Sequence, residues 1–121
     1  MEIHKENQEK HSIQSYHEKW IRIADQDYTG SVLLSPVRLE SPWGTFAELN
    51  LTRIQTLDWR GIELMIVGVV GAQAMIPFDI RQYLASQGIG LELMGLGAAC
   101  RTFNILIGEQ RQVLGLFYLA P

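Results

Sequence analysis

The run Gly95-Leu96-Gly97-Ala98-Ala99-Cys100-Arg101 holds two glycines spaced by one residue, a thiol and a guanidinium close together. Glycines where a helix begins let the backbone approach a ligand, and the free amides of that first turn attract anions. As a dinucleotide fingerprint the match is partial: Cys100 stands where a third Gly or Ala belongs, and no acidic residue follows about 20 positions on. Small residues that let a helix pack close to a strand are the plainer reading. An earlier loop, Gly68-Val69-Val70-Gly71, lacks the Gly-Lys-Ser/Thr ending that supplies charge and a magnesium ligand to a phosphate cradle. If the strands before the two loops are parallel, their carboxyl ends set the loops side by side, where open α/β sheets bind ligands. The candidate ligand-binding set is therefore Gly68, Gly71, Gly97, Cys100, Arg101 and Asn104, with Arg101 able to fork onto a carboxylate or phosphate. The competing reading pairs Arg101 with a surface carboxylate and Asn104 with nearby backbone.

Cys100, near a helix start and beside Arg101, could be held as a thiolate. A Cys-His pair needs an imidazole, however, and His4, His11 and His17 all precede residue 18. A small cysteine filling core space fits better. The same shortage of histidine, with no Gly-x-Ser-x-Gly elbow, disfavours serine hydrolase chemistry. The histidines lie seven and six residues apart, outside the spacings that align metal ligands on one helix face. Glu63 and Glu92 sit within otherwise apolar strands and are the remaining acid-base candidates. Trp43, Trp59, Phe117 and Tyr118 read as core residues, with interface anchoring the alternative. No catalytic residue, metal or cofactor is assigned.

Composition narrows the partners. Thirteen acidic against ten basic side chains give a net charge of −3, which argues against nucleic acid, since binding a phosphate backbone needs clustered Lys and Arg. The single cysteine excludes an internal disulfide and suits a reducing compartment. Residues 1 to 19 lack the apolar segment of a secretory signal, and four glutamates with no arginine do not suit a presequence, so the expected location is cytoplasmic. The longest apolar stretch, Leu64 to Ile76, is interrupted only by Gln73 and is short of the ~20 residues a spanning helix needs, so no direct membrane insertion is expected.

The elements that must position these residues follow from periodicity. Residues 1 to 17 are polar and read as a flexible N-terminal tail, although Ile13 and Tyr16 could anchor its end; residues 18 to 121 read as one α/β domain. Its 47% apolar content is enough to fill a core without a metal or disulfide staple. Trp20, Ile21 and Ile23, then Asp25-Gln26-Asp27, then Ser31-Val32-Leu33-Leu34 read as a hairpin of two short strands joined by a polar turn. Asn50 caps a short helix carrying Leu51, Ile54 and Leu57 on one stripe. The almost continuous apolar run from Ile62 to Gly68 reads as a central strand buried on both faces. Pro77 opens a helix with Ile80, Tyr83 and Leu84 on one face and Gly88 as its stop, and Leu91 to Met94 reads as a second buried strand. Strand, helix, strand implies a parallel pair. From Gly97 to Gly108 both a helical stripe and an alternating pattern fit, and the helix is preferred; Val113 to Leu119 closes the chain as a strand. The sum is a three-layer α/β sandwich around a mixed, roughly five-stranded sheet.

At Gln87-Gly88-Ile89-Gly90-Leu91-Glu92-Leu93-Met94, and on through Gly97-Ala98-Ala99-Cys100-Arg101-Thr102-Phe103-Asn104-Ile105-Leu106, the chain resembles a known family. That family comprises NADH dehydrogenase alpha subcomplex assembly factor 3 and small uncharacterised bacterial and archaeal proteins. The similarity runs from about Ile21 to Leu119, and Ala-Cys-Arg-Thr-aromatic-Asn is its most specific part. The resemblance implies the same three-layer fold, leaves the direction of the last strand open and carries no established catalytic residue. Members more often have Gly-Thr-Gly where this chain has Gly68-Val69-Val70, and a basic Gly-Arg turn where it has Gly108-Glu109-Gln110-Arg111.

Three functions are open. The first is a non-enzymatic interaction protein, an assembly or accessory factor with a protein partner, looking like a bacterial relative of the respiratory assembly factors. The second is a binder or enzyme for a small anion or nucleotide at the loops 68–71 and 95–97. The third is a homo-oligomer joined through a sheet edge or an aromatic surface.

Overall fold

Two β-sheets of unequal size divide the strands of the computed structural model, which describes residues 11–71 and 74–121. The smaller is antiparallel and three-stranded, in the order β1 (Ile13–His17), β2 (Trp20–Ile23), β3 (Gln26–Tyr28). Ile13, Ile21 and Ile23 face inward from it, while Arg22 and Asp27 form an exposed pair at 2.7 Å on its far face. β1 therefore takes up the last five residues of the stretch read as a tail, and residues 1–10 lie outside those described.

The hairpin expected between residues 20 and 34 is built differently. β2 turns back on β3 through Ala24 and Asp25, both at positive φ (50° and 63°), the two-residue turn whose twist matches antiparallel strands. The apolar Val32-Leu33-Leu34 then leaves for the larger sheet, because a strand with no polar face cannot stay on a half-wetted one.

That larger sheet runs β5 (Arg38–Glu40), β4 (Val32–Ser35), β8 (Val113–Phe117), β6 (Leu64–Val69), β7 (Gly90–Gly95). β4 is antiparallel to β5 and to β8, whereas β6 is parallel to both β7 and β8, so the last strand joins an antiparallel half to a parallel half. β7 is an edge strand. Gly90, Glu92 and Gly95 are exposed along it, unlike the fully buried strand read from its leucines. β6 has hydrogen-bonded neighbours on both sides, and its residues Met65 to Val69 are all buried.

Helices cover the two faces. α1 (Leu51–Gln55) starts where Asn50 Oδ1 accepts the Arg53 amide at 2.9 Å. α2 (Phe78–Ser86) follows Pro77 and stops at Gly88, whose φ of +72° lets the Ile89 amide turn back to Leu84 O at 2.9 Å. Ile54, Ile80 and Leu84 from these two helices pack on Met65, Val67, Leu114 and Leu116. α3 (Leu96–Gly108) packs on the opposite face with the small sheet beside it, where Leu96, Ala99, Cys100 and Phe103 meet Ile13, Ile21, Ile23, Ile66 and Phe117. The layers are thus helices, large sheet, and α3 with the small sheet. Gly68 makes the α3 contact possible: a Cβ there would lie 2.6 Å from the Ala99 methyl. Trp43, Phe117 and Tyr118 are core residues, and Trp59 is half-buried with its indole N–H donating to Ile54 O at 2.8 Å.

Candidate functional site

The chain leaves β6 for α2 on one face and leaves β7 for α3 on the other. Adjacent parallel strands whose connections part to opposite faces open a crevice at their carboxyl ends. Here that crevice is a cleft of ≈ 390 Å³ walled by Val69, Val70 and Gly71 from one loop and Gly95, Leu96 and Gly97 from the other. The two glycine loops do lie side by side. Gly95 is the N-cap of α3 and has no side chain to cap it, so the amide end of the helix dipole faces this region. The third wall comes from the small sheet: Tyr16, His17 and Glu18 overhang the cleft. No local pattern announces these three. Their placement depends on how β1 docks.

The candidate residues separate into those at the crevice and those behind it. Gly71 and Gly97 line it, whereas Gly68 is buried beneath α3. Arg101 stands at the rim, its Nη1 donating to the Tyr16 hydroxyl at 2.5 Å and lying 3.2 Å from where a Cβ on Gly97 would be. The surface carboxylate considered as its partner is replaced by a phenol. Asn104 lies one turn further along and clasps β1: its Oδ1 accepts the Ile13 amide and its Nδ2 donates to the Ile13 carbonyl, both at 2.8 Å. It completes the hydrogen bonding of a sheet edge as a neighbouring strand would. The backbone it satisfies is distant in sequence rather than local.

Cys100 is fully buried, and burial pushes its thiol up to about 12 despite the opposing field of Arg101. A thiol so held is packing material, not a nucleophile at neutral pH. Glu63 and Glu92 are both exposed. The Gln112 amide first, then the Arg111 guanidinium, each at 3.1 Å, hold the Glu63 carboxyl below the usual carboxylate range. Glu63 thereby ties the entry of β6 to the entry of β8.

The stretch Ala99 to Asn104 thus acts as a fastener. Ala99 meets Gly68, Cys100 fills the core, Phe103 stands edge-on to Phe117 with ring centroids 5.5 Å apart, and Arg101 and Asn104 reach the small sheet. Gly97, Arg101 and Asn104 follow i, i+4, i+7 spacing, a second stripe beside the apolar one. That spacing is the sequence signal for a polar face docked on another element.

Known proteins agree with this architecture. Among solved structures, an outer membrane protein from Bartonella henselae superposes with a TM-score of 0.81 at 26% identity, covering 93% of this chain and 97% of that one. A Bordetella pertussis protein described as a Mth938-like domain gives 0.74 at 20% identity over 89% and 85% of the two chains, a likeness of fold alone. By sequence, the chain is 31% identical over 51 residues to a 13 kDa major membrane protein of Francisella tularensis subsp. holarctica, and 26% identical over 70 residues to NADH dehydrogenase (ubiquinone) 1 alpha subcomplex assembly factor 3 of Xenopus tropicalis. These stretches are 42% and 56% of this chain but span only 42% and 38% of the two relatives. No helix among the described residues is long and apolar enough to cross a membrane. One family matches the chain from the first residue of β1 to the residue after β8, and with residues 13–118 covered the protein belongs to the family of proteins of unknown function DUF498/DUF598.

Proposed function

We propose that this protein is a non-enzymatic interaction protein, an accessory or assembly factor that acts in the cytoplasm through a protein partner. The observation that carries this reading is where its polar and apolar groups stand. The thiol, guanidinium and amide best suited to chemistry hold the layers together, while Met75 and Phe78 keep 74% and 64% of their surface exposed on the segment leading from β6 into α2. Large apolar side chains left in water on one connection favour a protein surface that covers them. The similarity to a protein named as an assembly factor supports the same reading. The test is affinity capture from the protein's own cell extract with the parent and with a Met75→Glu/Phe78→Glu variant. The expected result is a partner held by the parent and lost by the folded variant; equal recovery by both, or recovery of nothing above background, refutes the proposal.

A second reading, supported by the crevice between β6 and β7, is a binder of a small anion or nucleotide. Gly71, Gly97 and Arg101 would serve it, and Gly68, Cys100 and Asn104 would act only by holding α3 in place. A thermal-shift screen of nucleotides and metabolic acids decides it: a ligand at 100 times its Kd adds about 2.7 kcal/mol, and Arg101→Ala should abolish the shift.

A further inference from the structure

A second cleft, of ≈ 370 Å³, shares Val69 and Val70 with the crevice but lies between the β3–β4 loop, the turn at Gly44 to Phe46 and the segment after β8. None of the described residues that line it has a charged side chain. Its serine and threonine hydroxyls at 31 and 45 already have partners: Ser31 donates to Gly44 O and accepts the Trp43 amide, and Thr45 donates to Glu48. Tyr118 differs. Only 5% of its surface is exposed, yet its hydroxyl has no hydrogen-bond partner among the described residues. A buried phenol in that state pays a desolvation penalty that native structures rarely leave without a reason. Phe46, half-buried, stands edge-on to the Tyr118 ring at 5.5 Å and belongs to the same cleft, so rotation of one side chain changes what that ring meets.

We propose that this cleft is a binding site for an uncharged, mainly apolar small molecule bearing one carbonyl-type acceptor, which displaces Phe46 and accepts the hydrogen bond that Tyr118 otherwise lacks. The volume is at the low end for ligand pockets and suits a molecule of about a dozen heavy atoms. Behind Gly44 the Arg53 guanidinium donates to the Trp43 carbonyl, lies over the Trp43 ring and has the Glu48 carboxylate beside it. It is therefore not free to replace the hydration of an ionised ligand, and an uncharged one is favoured. The site does not depend on the partner surface proposed above.

Three probes of nearly equal shape test it by amide NMR on the intact protein. Acetophenone has the acceptor, α-methylstyrene replaces its oxygen with a methylene group, and benzoate adds a charge. The expected result is that acetophenone shifts the signals of Thr29 to Ser31, Gly44 to Phe46 and Tyr118, with affinity about fivefold above α-methylstyrene, the effect of one hydrogen bond, and above benzoate, whose charge loses its hydration. Tyr118→Phe should erase the advantage of acetophenone over α-methylstyrene, and Phe46→Ala should tighten acetophenone several-fold by removing the side chain that must move. The proposal is overturned if acetophenone causes no shift, if its signals map elsewhere, if benzoate binds as well, or if Tyr118→Phe leaves the preference intact.

Discussion

Replacing Asn104 with leucine, close in size but without the amide, should detach the small sheet from α3. Two hydrogen bonds are lost at once, both at 2.8 Å and both to the backbone of Ile13. Each contributes about 1 kcal/mol net, and leaving the Ile13 N–H and C=O unpaired beside a side chain only 4% exposed costs roughly 1–3 kcal/mol more for each group that stays buried. β1 can relieve part of that penalty by lifting away, but doing so exposes Ile13 and removes the Tyr16 overhang. The expected net loss is about 3 kcal/mol, which for a domain of this size lowers Tm by roughly 10 °C. Urea denaturation gives the free energy, and amide hydrogen exchange locates it. Protection at Ile13 should fall towards that of an open chain, while the β6 amides keep the protection set by the remaining global stability. An Asn104→Leu protein within about 0.5 kcal/mol of the parent, with Ile13 still protected, would refute the view that this side chain serves as a substitute strand.

Three further perturbations probe the same architecture. Gly68→Ala should destabilise by about 1–3 kcal/mol, because the new methyl lies 2.6 Å from Ala99, and Ala99→Gly in the same chain should recover most of the loss; denaturation midpoints of the single and double variants check it. Cys100, with its thiol pushed up to about 12 by burial, should react with a thiol reagent no faster than the protein unfolds, and quantitative labelling of native protein within minutes would contradict the packing. The Arg60 side chain, and then its backbone amide, lower the Asp58 carboxyl from 3.8 to about 2, so the stability this contact lends is present above the unfolded value and is lost as pH falls through the folded one. Acid titration of Asp58→Asn should lose that part of the pH dependence between 3.8 and about 2, and an unchanged acid profile would count against the contact.

The chemistry-bearing residues were easier to recognise than to place. The Gly95 to Arg101 run does open a helix at the end of a parallel strand, beside the loop at Gly71, as the order of apolar runs implies. What that run does there was hidden, because the roles of Arg101 and Asn104 depend on β1, some 85 to 91 residues away in the chain. The β2–β3 hairpin was missed for a related reason: Gln26 and Asp27 are exposed on a short strand whose existence rests on pairing with β2, not on their own propensity. β7 shows the converse. Leu91, Leu93 and Met94 suit a buried strand, but among the described residues sheet order leaves it without an outer neighbour.

From the residues alone came the elements whose signal is local: the Asn50 cap, the Pro77 start and Gly88 stop, the apolar run of β6, and the layered α/β class that follows from their succession. Periodicity and capping act over a few residues and can be read there. Tertiary structure alone decided that β8 would lie parallel to β6 and antiparallel to β4, that Tyr16 would overhang the crevice, and that the Tyr118 hydroxyl would be sealed without a partner among the described residues. These are properties of pairs distant in sequence, set by which faces must leave water together, and no single stretch of chain carries that information.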